Sequence, residues 1–368
     1  MPANTFGEAL RLTTWGESHG KAVGCVLDGC PSGLEVTLDE IQAELARRRP
    51  GQSEISTPRG EKDQVEILSG VFEGKTIGTP IAMMVVNEDK DSSAYKPFKD
   101  KPRPGHADLT WREKFGHVDW RGGGRSSARE TIGRVAGGAI AQKLLKVSLG
   151  AEIVGYTKEI AGIVAEDMKI EDMKKSHVLE ITESNPLRAL DLERAKQMEQ
   201  AILDAKAAGD SIGGVIEAVA LNVPAGLGEP VFDKLNADLV KAVMSIPAVK
   251  AVEIGAGLEF ARMKGSEAQD EIIKKKGQIL TKTNKAGGIN GGISNGMPIV
   301  VRAAVKAPAS IAQGQKTVDL KTKKATEIKV SGRHDPCVVP RAVPIVEAMV
   351  ALVLADHGLR SGAVPRKL

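Results

Sequence analysis

The chain has 368 residues, enough for one large domain or two ordinary ones. Hydrophobic residues make up 42% and charged residues 27%, the balance of a soluble protein with a sizeable core. A net charge of only +4 and 3% aromatic residues argue against a nucleic-acid binder, which needs a dense basic surface and flat rings for stacking.

The opening residues show no basic leader running into an apolar core, so no secretory signal is expected. Two strand-like runs, ALRLTTW and AVGCVL, flank Gly16-Glu17-Ser18-His19-Gly20-Lys21. A histidine between glycines at a strand connection sits on an accessible turn; that pattern suits a catalytic imidazole and an ordinary surface or core histidine alike. Cys25 and Cys30, with the remote Cys337, match no zinc or redox spacing and read as free thiols of a reducing cytoplasm. A helix is predicted over 38–49, ending in Arg47-Arg48-Arg49. Cations at a helix C-terminus gain about 0.3–1 kcal/mol each from the helix dipole. The triplet therefore reads either as a solvated cap or as a bidentate clamp for phosphate and carboxylate.

Segments 50–62 and 87–104 are polar and broken by Pro, Gly, Asp and Ser. Loops this long tend to be active-site covers or spacers, and these two are expected to order when ligands bind. The second runs into Arg103-Pro104-Gly105-His106-Ala107-Asp108. Imidazole titrates near 6.5, close to the second pKa of a phosphate monoester at about 6, so a histidine can protonate a departing phosphate at neutral pH. Next stands Arg121-Gly122-Gly123-Gly124-Arg125-Ser126-Ser127-Ala128-Arg129-Glu130. Glycines that free N–H groups before a helix, with serines to cap it, make a phosphate cradle. An RGG-type RNA contact and a plain capped helix are the other readings. The helix that follows is predicted over 128–146. Its Gly137-Gly138 pair suits a close backbone approach that offsets a helix penalty of roughly 1 kcal/mol each.

The second half echoes the first. Pro31-Ser32-Gly33-Leu34 before helix 38–49 is matched by Pro224-Ala225-Gly226-Leu227 before a helix predicted over 231–245. Gly78-Thr79-Pro80-Ile81 leads into AMMVV as Gly296-Met297-Pro298-Ile299 leads into VVRAAV. Helix 128–146 corresponds in order to one over 342–357. A structural repeat of antiparallel strands and one long helix per half is expected, in one integrated domain over 1–368. Both long helices are apolar all round and need cover on every side. The stretch 343–355 carries Glu347 and is too short for a bilayer, so no membrane is expected as partner. Just before it, Gly332-Arg333-His334-Asp335-Pro336-Cys337 holds Arg333 and Asp335 on a proline-fixed turn. No Walker A motif and no strand-borne GxGxxG is present.

Taken together, GESHG, RPGHAD, RGGGRSSARE, AGGINGGISNG and GRHDPCVVPRAVPIVEA closely resemble the chorismate synthase family, over about residues 4–359. The resemblance implies an α+β fold, a sandwich of two antiparallel β-sheets around central long helices, assembled as a cytoplasmic homotetramer. It implies a carbon–oxygen lyase of the shikimate pathway and aromatic amino-acid biosynthesis. The reaction is an anti-1,4 elimination of phosphate from 5-enolpyruvylshikimate 3-phosphate, requiring reduced FMN without net redox change. By motif, His19 resembles the acid that assists the leaving phosphate. His106 resembles the residue that stabilises or protonates the reduced flavin, and Asp335 the partner that helps flavin N5 act as base. Arg48, Arg103 and Arg134 resemble substrate-anion ligands. Flavin contacts fall on Arg125, Ser126, Ser127, Pro247, Ala248, Gly291, Lys306, Ala307, Pro308, Ala309, Ser310 and Arg333. Glu54 stands where the family commonly has arginine, and Pro247 replaces a more usual amide. NADPH is the candidate reductant of the flavin. With no nicotinamide fingerprint visible, an external flavin reductase is the expected source. The alternative to the lyase is a non-catalytic phosphate- or RNA-binding protein.

Overall fold

The computed structural model describes residues 3–52, 55, 62–88, 93–166, 168–169, 173–275, 277–330 and 335–368. Among these residues, two five-stranded antiparallel sheets enclose a pair of long helices. The first sheet contains β1 (Thr5–Phe6), β2 (Arg11–Gly16), β3 (Ala22–Asp28), β4 (Val65–Ile67) and β5 (Ile81–Val86), in the spatial order β1-β2-β3-β5-β4. The second contains β6 (Glu152–Ile160), β7 (Ile163–Val164), β8 (Gly214–Leu221), β9 (Val249–Ile254) and β10 (Ile299–Val305), in the order β9-β10-β8-β6-β7. The helices are α1 (Leu38–Arg48), α2 (Asp108–Phe115), α3 (Thr131–Leu149), α4 (Lys175–Thr182), α5 (Leu192–Ala207), α6 (Leu235–Met244) and α7 (Val339–Arg360).

The two halves share one connectivity. In the first, β2 and β3 pair, α1 follows, and β4 then β5 add on with β4 at the edge before α3. In the second, β6 and β8 pair, α6 follows, and β9 then β10 add on with β9 at the edge before α7. The Pro-x-Gly-Leu segments precede α1 and α6, and the Gly-x-Pro-Ile segments open β5 and β10, as the sequence echo predicted. The connection between β6 and β8 is the main departure, because it carries α4 and α5.

Period-two burial shows how the sheets face inward. Ile81, Met83 and Val85 of β5 are buried, whereas Ala82 and Met84 are half-buried and Val86 is exposed. Helix α3 rests on β2 and β3, α7 rests on β6 and β8, and the two helices pack on each other, giving four layers. Every residue of α7 from Ala342 to Leu359 is buried. Pro344 inside it has no N–H, and the Pro340 carbonyl it would have served accepts from Arg188 Nη1 at 2.9 Å.

Gly138 lies where α3 meets α7. A Cβ there would sit 2.3 Å from Ala348 Cβ and 2.6 Å from its Cα. Gly138→Ala is therefore expected to lower stability by about 1–3 kcal/mol through overpacking. The urea midpoint measures this, and an unchanged midpoint would mean that the helices can part without cost.

Boundaries moved where caps decided them. The helix predicted over 128–146 begins as a single 3-10 turn, Ala128–Glu130, and becomes α-helical only at Thr131. The helix predicted from 231 starts at Leu235, whose N–H is held by Gly292 O at 2.9 Å. Segment 87–104 is not bare loop. Ser93–Phe98 forms a 3-10 turn that buries Tyr95 and Phe98 in a small cluster with Ile328 and Val330. Most of segment 50–62 lies outside the described residues. All three cysteines are buried free thiols, with burial pushing each up to about 12.

Candidate active site

His19 sits on the turn between β2 and β3 and is 8% exposed. Ser18 fixes it: the Ser18 hydroxyl lies 2.9 Å from His19 Nδ1 and donates to Gly122 O at 3.1 Å, while Ser18 N–H donates to Gly124 O at 3.2 Å. Because the single hydroxyl proton is used on Gly122 O, the Ser18 oxygen accepts from Nδ1–H. Gly122 has φ +57, and a Cβ on it would lie 2.2 Å from the imidazole, so the glycine loop forms a wall against His19. This departs from a plain phosphate cradle, since the loop turns carbonyls toward the His19 turn. Ser127 is the capping serine, accepting from Arg129 N at 3.4 Å.

The Tyr95 ring meets His19 edge to face, with centroids 5.1 Å apart at 76°, and the Arg103 guanidinium lies 5.7 Å from the Tyr95 centroid. Asp108 grips Arg103 through two side-chain bonds of 2.8 and 2.9 Å. Burial pushes the Asp108 carboxyl up, but the hydrogen bonds and charge of Arg103 hold it below its ordinary value.

Three residues along the same loop, His106 donates from Nδ1 to Pro104 O at 3.1 Å and meets Ser310 Oγ through Nε2 at 2.9 Å. Burial, then the charge of Arg103, pushes the His106 pKa below its ordinary value, with Lys306 acting the same way, so the ring is neutral at pH 7. Lys306 Nζ holds Gly105 O at 2.7 Å, and Lys306 N–H holds Ala248 O at 2.9 Å. Ala309 touches the position of Gly105, and Pro308 O accepts from Ser211 Oγ at 2.6 Å. Ile212 N–H in turn reaches Pro336 O at 2.9 Å, which ties the 306–310 segment to Asp335.

Asp335 pairs with Arg341, whose Nε donates to Arg48 O at 3.3 Å. Arg48 is buried and donates to Asp63 Oδ2 at 2.8 Å and Thr131 Oγ1 at 3.2 Å. Arg129 donates to Asp63 Oδ1 at 3.0 Å and to Asn87 Oδ1. Asn87 closes the circuit by donating to Glu17 O and Gly20 O at 3.0 and 3.1 Å, on either side of His19. Burial pushes the Asp63 carboxyl above its ordinary value against the pull of Arg48 and Arg341, so its charge depends on those guanidiniums. His19, His106 and Asp335 thus belong to one continuous set of contacts.

Other expected residues are distributed around this set. A cavity of about 750 Å³ is lined by Phe98, Asp108, Trp111, Trp120, Gly123, Arg125 and Ser126. A second, of about 540 Å³, shares Trp111, Arg125 and Ser126 and adds Arg134, Ser245 and Pro247. Arg134 is held there by Glu130 and Ser245 rather than beside Arg48 or Arg103. Gly291 lies apart, with Lys234, Asn236 and Phe260 in a cavity of about 310 Å³ by the far end of β9 from Ala248. Arg333 and Glu54 lie outside the described residues. Sequence reasoning missed Ser18, Asp63, Asn87, Tyr95 and Arg341. Ser18 and Arg341 were inside motifs already singled out, whereas Asp63, Asn87 and Tyr95 lie in no glycine- or histidine-bearing motif and became visible only through contacts.

A family model described as chorismate synthase matches residues 10–359. Similar chains include chorismate synthases of Methanosarcina barkeri, 58% identical over the whole of both chains, and of Archaeoglobus fulgidus, 59% identical over 99% of each. A crystal structure of chorismate synthase superposes with a TM-score of 0.73 at 36% identity, covering 96% of this chain and 93% of the other.

Proposed function

The chain belongs to the chorismate synthase family, carbon–oxygen lyases of the shikimate pathway, and from that membership we propose how its residues carry the reaction. The substrate is 5-enolpyruvylshikimate 3-phosphate and the product chorismate, formed by anti-1,4 loss of the 3-phosphate and a C6 hydrogen. The carrying observation is the contact circuit that joins His19 to Asp335 through arginines and reaches His106 through the 306–310 segment. His19, its Nδ1–H held by Ser18, delivers a proton from Nε2 to the departing phosphate. Arg48, Arg103 and Arg134 bind the substrate's anionic groups. Asp335, steadied by Arg341, is the carboxylate that assists proton removal on the C6 side.

The donor set fits a planar, phosphorylated cofactor. Among the described residues Arg125 Nη1 is buried without a hydrogen-bond partner, with Glu130 Oε2 3.7 Å away, and Trp111 and Trp120 wall the adjoining cavity. Arg125, Ser126, Ser127, Ala248, Lys306 and Ser310 would hold reduced FMN, with Pro247, Ala307, Pro308, Ala309 and Arg333 as further contacts; Gly291, in its separate cavity, is not among them. When bound, reduced flavin would supply electron density for C–O cleavage at the allylic C3, while the hydrogen to be lost, on C6, is not acidic. His106, neutral while the site holds no anion, gains a proton as negative charge arrives beside it.

Anaerobic incubation of the substrate with chemically reduced FMN is expected to yield chorismate; well-folded protein that yields none overturns the reading. An external flavin reductase supplies the reduced cofactor, and turnover with NADPH as sole reductant would refute that part. The protein works as a cytoplasmic homotetramer of single-domain chains. Supporting this are a main apolar core drawn from Leu10 through Val364, and the paired strands Ile272–Lys275 and Gln278–Thr281, which expose Ile272 and Ile279. The single helix among the described residues that is long and apolar enough to cross a membrane, Val339–Arg360, is buried in that core. Neither the family match nor the relatives support a non-catalytic phosphate- or RNA-binding protein.

A further inference from the structure

We propose that Asp63 is a positioning residue for the substrate site, holding Arg48 and Arg129 side by side so that Arg48 is aimed at a substrate anion before the substrate arrives. The inference rests on the reading of Arg48 as an anion ligand. The Asp63 side chain is fully buried, and each carboxylate oxygen takes one guanidinium, Arg48 at 2.8 Å and Arg129 at 3.0 Å. Its backbone adopts φ +47, a conformation that aspartate and asparagine enter more readily than other L-residues. Asp63 is therefore set at this point by the main chain as well as by charge.

Arg48 is fixed at two of its three nitrogens, Nε on Thr131 Oγ1 and Nη1 on Asp63, and among the described residues Nη2 bonds to none. A planar guanidinium fixed at two corners presents the third in a set direction. Three guanidiniums, of Arg48, Arg129 and Arg341, surround two carboxylates, of Asp63 and Asp335. Without the carboxylate between them, Arg48 and Arg129 repel and Arg48 turns away. Asn87, on the other side of Arg129, carries the same restraint to the backbone on both sides of His19.

Steady-state kinetics on the full chain with reduced FMN test this. Asp63→Asn, which leaves one acceptor oxygen for two guanidiniums, is expected to raise the substrate KM about 10- to 100-fold and leave reduced-flavin affinity unchanged. Arg48→Gln raises KM similarly, and the double variant is no worse than Arg48→Gln alone. A wild-type KM in Asp63→Asn while Arg48→Gln is impaired overturns the proposal, as does full additivity or a parallel loss of flavin binding. A wild-type KM in Arg48→Gln removes the anion-ligand reading and this inference with it. If Asp63→Asn fails to fold, Asp63→Asn with Arg129→Gln neutralises the buried pair together; a raised KM supports the proposal and a wild-type KM rejects it.

Discussion

Replacing His19 with alanine is expected to lower kcat by about 10²–10⁴-fold while reduced-flavin affinity and the unfolding midpoint stay near wild type. Near neutral pH the phosphate monoester is a dianion, so C–O cleavage alone would expel a trianion, and a proton delivered as the bond breaks lets the group leave as the dianion. His19 is held for this by Ser18 on one side and Tyr95 on the other, with Gly122 closing the back. A ring so confined loses little freedom on reaching the transition state. Single-turnover formation of chorismate under anaerobic conditions measures the effect without interference from product release. Partial recovery of the alanine variant by added imidazole is the companion result. A kcat within a factor of two of wild type would assign the acid to another group.

The second large effect is on stability. Arg47→Met is expected to cost about 3–5 kcal/mol, because it strips a buried carboxylate of its counter-ion. Glu347 lies in the middle of α7, 1% exposed. Its two oxygens accept from Arg47 Nη1 at 2.5 Å and from Gly155 N–H at 2.6 Å. Arg47 also pairs with Glu44 and Glu183, so one guanidinium joins α1, α7 and the end of α4. Burial raises the Glu347 pKa and Arg47 opposes that rise, so the variant raises it further. A carboxyl with a raised native pKa binds its proton more tightly folded than unfolded. Its contribution is fully present below the unfolded value of about 4.3 and is lost as pH rises through the native value. The deficit of Arg47→Met should therefore shrink between pH 8 and pH 5. A deficit independent of pH would show that Glu347 is already neutral in the native protein.

The arginine triplet shows where reading a sequence stops. Cap and clamp were both open for Arg47-Arg48-Arg49, and the fold sends the three to separate fates. Arg47 enters the core, Arg48 meets Asp63, and Arg49 stays exposed. Successive helical residues point about 100° apart, so adjacency in the chain says little about sharing a ligand. Architecture was more legible. Alternating apolar residues and the repeated Pro-x-Gly-Leu and Gly-x-Pro-Ile segments report local backbone demands that recur in each half, and both halves met them. Asp63 and Asn87 left no comparable trace, because their work lies in pairings 15 to 70 residues away. Helices α4 and α5 were also unforeseen; they occupy the connection between β6 and β8, the main departure from the echo.

The shared connectivity of the halves also governs where the chemistry can sit. Both central helices begin at the same end of the molecule: Arg48 bonds Thr131 at the start of α3, and its carbonyl is held by Arg341 in the first turn of α7. A pseudo-axis relating the halves therefore runs along the pair and emerges between their two starts. The positive ends of both helix dipoles lie there. Duplicating a single scaffold has brought two positive helix ends to one place, where a single half would supply only one.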